Sequence, residues 1–124
     1  MPVVATEDRG AVRHVILQRP EKRNAMNGEL VLALGAALEE AAGDDAVRCV
    51  VVRGEGAMFS SGMDLGDLRT LSENPSQLRR FRRPILNTWN LLEEMPKSTI
   101  CQIHGACLGG AFELALAADF LLLP

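Results

Sequence analysis

The first half of the chain alternates strand-type and helix-type hydrophobic patterns. Residues 11–18 alternate with a period of two, and turn-forming residues 8–10 precede them, which predicts a hairpin whose first strand covers 2–6. Residues 27–42 place apolar side chains three and four positions apart, which predicts a helix that ends near Gly43.

The asparagines at 24 and 27 precede this helix and are typical of helix caps. Residues 47–53 are short, β-branched and apolar on both faces. Such a run predicts a strand that helices cover on both sides. The order of elements is therefore β-β-α-β.

The second half repeats the alternation of turn, helix and strand. The turn formers of 54–62 precede a short predicted helix at 64–71. A longer helix is expected over 76–95, with Pro84 dividing or kinking it.

Residues 99–103 read as another buried strand, followed by a glycine-rich turn at 104–110. A helix at 110–118 and a strand at 120–123 complete the pattern. The fold class is α/β.

Composition narrows the class of protein. The chain has 13 Lys and Arg against 16 Asp and Glu, so it has no general basic field for nucleic acid or an anionic membrane. Its start, MPVVATEDRG, is acidic where a secretory signal would be basic. We expect a cytoplasmic protein whose three cysteines are reduced packing residues, with neither a disulfide nor a metal site.

Two strand-turn-helix junctions carry the candidate chemistry: FSSGMDL at 59–65 and GACLGGAFEL at 105–114. In each, glycine allows close backbone approach, and the helix start leaves N–H groups without helical partners. Such groups suit an anion or a polarised oxygen. Neither junction matches the GxGxxG or GxxxxGK[ST] phosphate motifs, and glycine before a helix often serves only packing.

Glu113 lies three residues into the second of these helices, within an apolar segment. A carboxylate beside free N–H donors could move a proton next to a carbonyl that is gaining charge. The alternative is an ordinary first-turn acid favoured by the helix dipole.

The segments PEKRNAMN, FSSGMDL and MPKSTICQIHGACLGGAFELALAADF, in this order and spacing, resemble the enoyl-CoA hydratase/isomerase (crotonase) superfamily. The resemblance implies a spiral of β-β-α units that binds an acyl-CoA. It further implies that residues 1–124 are the N-terminal part of a crotonase-fold core domain, truncated before the C-terminal helices. A full-length subunit is then expected to form a homotrimer or a dimer of trimers.

The resemblance also implies a site. The N–H groups of Met63 and Gly110 would hold the thioester oxygen, and Asp64, Leu65 and Gly66 would line the CoA pocket. Glu113 matches the first of two catalytic glutamates, the second of which would lie beyond the end of this chain. No cofactor is expected, because coenzyme A is part of the substrate.

The expected activity is therefore enoyl-CoA hydration, a lyase reaction that adds water across the 2,3-double bond. Alternatives are an enoyl-CoA isomerase or another crotonase-type reaction, a non-catalytic acyl-CoA-binding module, and a folding fragment with an exposed sheet edge. Acyl chain length does not follow from the sequence.

Three further features need interpretation. His104 is expected to be structural, as a lone histidine at a strand end usually is. Lys22 and Arg23 are candidate partners of CoA phosphates. A third feature is a set of arginines that share one broad side of a helix, opposite Phe81, and favour a solvated face over a phosphate site: Arg79, Arg80, Arg82 and Arg83.

Overall fold

Five strands form one sheet in chain order, from β1 to β5, in a computed structural model that describes residues 1–124. Each predicted helix and strand is present. The strands are β1 Val4–Arg9, β2 Val12–Leu17, β3 Cys49–Gly54, β4 Ser98–Gln102 and β5 Phe120–Leu122. The helices are α1 Gly28–Gly43, α2 Leu65–Ser72, α3 Pro75–Glu93 and α4 Gly110–Leu116, with a 3-10 turn at Pro20–Lys22.

The direction of the strands decides where the turns lie. β1 and β2 are antiparallel, whereas β2, β3, β4 and β5 are parallel to one another. Helices provide the crossovers that parallel strands require. Because parallel strands end at the same edge of a sheet, the segments that follow β3 and β4 emerge side by side.

The hairpin differs from its predicted boundaries. β1 begins later and runs through Asp8 and Arg9, and the turn lies at Gly10, whose φ is +61°. Both faces of β2 are buried, so the alternation of its pattern does not mark a solvent face. β2 is an inner strand of the sheet, and Arg13 near its start is buried in ion pairs with Asp8 and Asp44.

Both ends of α1 are capped by side chains. Asn27 confirms its predicted role, because its side-chain oxygen accepts the N–H of Leu30 at 2.9 Å. At the other end, the ammonium group of Lys97 donates to the carbonyls of Ala41 and Asp44 at 2.6 and 2.5 Å. A cation at this end also complements the helix dipole.

α3 passes through Pro84 without a break, so this residue does not divide the helix as predicted. The carbonyl that loses its helical partner belongs to Arg80, which is exposed to water. The four arginines around Phe81 are exposed, as expected, and the Phe81 ring packs over Gly28 at the start of α1.

α4 is shorter than predicted and ends at Leu116. Asp119 and Thr99 fix the next turn, because each donates its backbone N–H to the side-chain oxygen of the other, at 3.0 and 2.9 Å. No helix has the length and apolar character that crossing a membrane requires.

The main core lies where α1, α3 and α4 cover the sheet. Burial raises the pKa of the Cys101 thiol to about 12, and Cys49 and Cys107 are also free thiols. A second apolar surface, on α4, the turn before it and β5, is exposed: Leu108, Phe112, Leu116, Phe120, Leu121, Leu122 and Leu123.

Candidate functional site

Two turns meet at the edge of the sheet where β3 and β4 end. We call residues 55–64 the β3–α2 turn and residues 103–109 the β4–α4 turn. Backbone hydrogen bonds join them: Phe59 donates to the Ala106 carbonyl at 3.1 Å, and Leu108 donates to the Ser60 carbonyl at 3.2 Å. Ser60 and Cys107 pair as an isolated parallel bridge. The two predicted junctions are therefore one structural unit.

Gly62 is the point of closest approach. Its φ is +97°, and a Cβ atom there would lie 2.7 Å from the Leu108 carbonyl oxygen and 3.5 Å from the Gly110 nitrogen. Covalent geometry keeps that Cβ position within about 3.7 Å of the next nitrogen, so the Met63 and Gly110 nitrogens lie within about 7 Å of each other. Only glycine fits both the backbone conformation and the available space.

Met63 and Gly110 each have a backbone N–H that donates to no acceptor in the chain. Three of the four adjacent residues have paired N–H groups: Gly62 donates to the Ser60 hydroxyl, Asp64 to the Met26 carbonyl, and Ala111 to the Leu108 carbonyl, whereas the N–H of Gly109 also has no acceptor in the chain. Two free donors on touching turns can polarise an oxygen on which negative charge develops.

The Met63 side chain packs against Gly110 at the start of α4. A Cβ atom at Gly110 would lie 3.2 Å from both the Cγ and the Sδ of Met63. Met63 also pairs with Met26 through an isolated bridge, which ties the β3–α2 turn to the segment before α1.

The three predicted pocket residues that follow Met63 differ in their surroundings. Asp64 caps α2 by accepting the Asp67 N–H at 3.1 Å, and it forms an ion pair with Arg19 at 2.9 Å. The Arg19 hydrogen bond, followed by the Asp67 N–H, holds the pKa of Asp64 below its ordinary value. Leu65 and Gly66 are exposed, so they lie at the surface beside the turns.

Glu113 lies in the first turn of α4, as predicted, but its environment differs from the expectation. The helix buries Ala111, Leu114 and Ala115, whereas Phe112, Glu113 and Leu116 face outward. The Glu113 carboxylate accepts no hydrogen bond from the helix N–H groups. α4 therefore has one buried and one exposed face, both largely apolar, and Glu113 lies on the exposed face.

Two residues that hold this site were not recognised in the sequence. Asn24 is fully buried with φ +54°, and its side chain binds backbone groups of other segments, so it does not cap α1. Ser60 is also fully buried, and its hydroxyl bridges Asn24 and Gly62. A polar residue in a turn was the only available signal, and it did not distinguish Ser60 from Ser61.

The other candidate residues include neither of the free donors. His104 belongs to the β4–α4 turn, and its ring nitrogen lies 2.6 Å from the Gly56 carbonyl of the β3–α2 turn, a structural contact between the two turns. Lys22 and Arg23 are exposed at the 3-10 turn. A groove on α3 contains neither of the free donors, and its lining residues are Arg79, Arg82, Arg83, Leu86, Asn87 and Asn90. His, Cys, Asp and Glu side chains form no group of three that could hold a metal ion.

Comparisons with known proteins place the chain in a family. The profile of the family described as enoyl-CoA hydratase/isomerase matches residues 7–124. The chain is 38% identical over 117 residues to the mitochondrial Delta(3,5)-Delta(2,4)-dienoyl-CoA isomerase of Mus musculus, covering 87% of this chain and 36% of that protein. It is 31% identical over 116 residues to the 1,2-epoxyphenylacetyl-CoA isomerase of Escherichia coli, covering 90% of this chain and 43% of that protein.

A solved structure shows the same fold. The enoyl-CoA hydratase/carnithine racemase of Magnetospirillum magneticum superposes with a TM-score of 0.94 at 31% identity, over 99% of this chain and 46% of that one. The chain thus spans less than half the length of these three relatives.

Proposed function

Because the chain belongs to the enoyl-CoA hydratase/isomerase family, we propose that it binds an acyl-CoA thioester at the paired turns. In this proposal the N–H groups of Met63 and Gly110 hold the thioester oxygen, and Asp64, Leu65 and Gly66 lie beside the bound CoA. The coenzyme enters as part of the substrate, and no other cofactor is proposed.

The free donor pair is the observation that carries the proposal. Neither N–H has an acceptor in the chain, and the bridge between the two turns keeps them close. A thioester oxygen becomes more negative as an enolate forms, so donors fixed in advance stabilise the transition state more than the substrate.

Glu113 is the proposed acid/base group. In hydration its carboxylate accepts a proton from water as the water oxygen bonds to C3, and the C2–C3 π electrons move toward the thioester oxygen. Glu113 then returns that proton to C2 as the thioester carbonyl forms again, so that H and OH have added across the double bond and the carboxylate is restored. The exposed carboxylate is open to water, which supports this role.

Isomerisation is the second candidate reaction, because both curated relatives named above are isomerases. Glu113 would then remove a proton from one carbon of the acyl group and return it at another, through an enolate held by the same donors. Both reactions need the donor pair, so the first experiment addresses the donors.

The variant Gly110→Pro removes one of the two N–H donors at a position where a helix tolerates proline. Gly110 is the first residue of α4, a position at which proline is tolerated. Gly110→Ala is the matched control, because it adds the same contact with Met63 and keeps the N–H. We expect Gly110→Pro to turn over crotonyl-CoA about 10²- to 10³-fold more slowly than Gly110→Ala.

Turnover is measured by loss of the enoyl-thioester absorbance, and crotonyl-CoA binding by calorimetry. Equal kcat in the two variants would contradict the role of the Gly110 donor. Binding without turnover in the unmodified chain would favour the non-catalytic acyl-CoA-binding module instead.

A further inference from the structure

The hydroxyl of Ser60 links the segment before α1 to the β3–α2 turn, and its backbone links that turn to the β4–α4 turn. We infer that Ser60 is a positioning residue: its hydroxyl sets the direction of the Met63 N–H, and its backbone sets the spacing between that N–H and the Gly110 N–H. The inference deepens the proposed function and rests on it, because it concerns the same donor pair.

The hydroxyl is fully engaged. It donates to the Asn24 carbonyl at 2.7 Å and accepts the Gly62 N–H at 3.1 Å. Ser60 and Gly62 are both buried, so water cannot replace either bond. By fixing the amide of Gly62, the hydroxyl also restricts the next peptide unit, which contains the Met63 N–H.

The backbone of Ser60 holds the other turn. Its N–H donates to the Ala106 carbonyl at 3.3 Å, and its carbonyl accepts the Leu108 N–H at 3.2 Å. Leu108 in turn precedes the Gly109–Gly110 step into α4. One residue is therefore bonded through its side chain to the peptide that precedes the first donor's peptide, and through its backbone to the second donor's turn.

Asn24 gives the hydroxyl a rigid anchor. Its side-chain amide donates to the carbonyls of Glu55, Met58 and Phe59 at 2.8 to 3.1 Å, and its oxygen accepts the Arg19 N–H at 2.8 Å. All of these contacts are to backbone groups. The carbonyl that receives the Ser60 hydroxyl is thus fixed relative to the whole β3–α2 turn.

Ser61 provides a matched control in the same turn. It is only half-buried, and its hydroxyl makes no hydrogen bond. Its backbone N–H donates to the Arg23 carbonyl, a bond that Ser61→Ala leaves in place. Comparing Ser60→Ala with Ser61→Ala therefore separates the loss of a hydrogen-bonded hydroxyl from the mere replacement of a serine by alanine in this turn.

The experiment compares Ser60→Ala, Ser60→Cys and Ser61→Ala in the full chain. Backbone amide shifts and hydrogen exchange are read at Gly62, Met63 and Gly110, without ligand. With crotonyl-CoA, kcat, KM and the infrared carbonyl frequency of the bound thioester are measured. The denaturant midpoint reports stability separately.

We expect Ser60→Ala to speed exchange at Gly62, to shift the amide signal of Met63, and to weaken the polarisation of the bound carbonyl. It should lower kcat about 10-fold, less than the loss of a whole donor, with KM changed less than about twofold. The kcat of Ser60→Cys should lie between those of Ser60→Ala and the unmodified chain, because a thiol is a weak acceptor. Ser61→Ala should behave as the unmodified chain.

A purely structural role predicts a different result. Ser60→Ala would then lower the denaturant midpoint while the Met63 signal and kcat per folded molecule stayed unchanged, and this would overturn the inference. If the unmodified chain binds no crotonyl-CoA, the proposed function fails, but the amide signals still decide whether Ser60 sets the donor geometry. Unaltered Gly62 and Met63 signals in Ser60→Ala refute it in that case as well.

Discussion

Replacing Gly62 by alanine tests the contact between the two turns without assuming any activity. Gly62 has φ +97°, which lies outside the regions that side chains normally adopt. Its new Cβ would lie 2.7 Å from the Leu108 carbonyl oxygen, and that carbonyl belongs to a turn fixed by backbone hydrogen bonds. The overlap must therefore be relieved by moving one turn away from the other.

The expected loss of stability has two parts. Holding alanine at a sparsely populated backbone angle costs about 1 to 3 kcal/mol. Forcing a methyl group into a packed contact costs about another 1 to 3 kcal/mol. We expect Gly62→Ala to lower the free energy of unfolding by about 2 to 6 kcal/mol, a large fraction of the roughly 5 to 15 kcal/mol typical of a native protein.

Gly10→Ala is the control for backbone angle alone. Gly10 has φ +61°, and a Cβ atom there would have nothing within 4 Å. Its expected cost is about 1 to 2 kcal/mol. Trp89 is the only tryptophan, the chain contains no tyrosine, and this side chain is buried, so its fluorescence reports unfolding in urea. The reasoning about contact is refuted if the two variants lose equal stability.

Three other changes have expected outcomes. Glu113→Gln should lower crotonyl-CoA turnover about 100-fold or more with binding retained, and equal turnover in Glu113→Gln and the control Glu40→Gln would remove Glu113 from the chemistry. Lys97→Met should lower the free energy of unfolding in urea by about 2 kcal/mol, because the last carbonyls of α1 lose a charged donor; an unchanged urea midpoint would show that water replaces it. The pKa of Asp64 is lowered in the folded chain, so its ion pair with Arg19 stabilises the fold at pH values above its ordinary pKa of 3.8, and this contribution is lost as pH falls through the folded pKa. The difference in stability between the unmodified chain and Asp64→Asn should therefore shrink below about pH 4. A constant difference from pH 7 to pH 3 would contradict this.

The sequence predicts the elements whose signals are local. The three- and four-residue spacing and the cap at Asn27 predicted α1, and the apolar run predicted β3. The predicted boundaries of β1 and the predicted division of α3 at Pro84 were wrong, because each depends on neighbours. An antiparallel partner extends β1, and Pro84 is tolerated where Arg80, the residue whose carbonyl loses its helical partner, is exposed.

The candidate site was only partly predictable for the same reason. The glycines and Glu113 belong to local sequence patterns of a few residues each, so their positions could be predicted. Asn24 and Ser60 act across 36 residues of sequence, through a hydrogen bond that no local pattern encodes. The outward direction of Glu113 likewise depends on which side of α4 meets the sheet.

The pairing order of the strands has a consequence for how the molecule reaches its final state. β1 and β2 are adjacent in the chain and can form their hairpin within about 10 microseconds. The pairing of β2 with β3 and of β3 with β4 requires closure of long loops, which costs more entropy. The donor pair exists only after β3 and β4 are in register, so it is among the last features to arise during folding. Pulse-labelled exchange should then protect hairpin amides before that of Leu108, and the opposite sequence of protection would show that the paired turns nucleate the sheet.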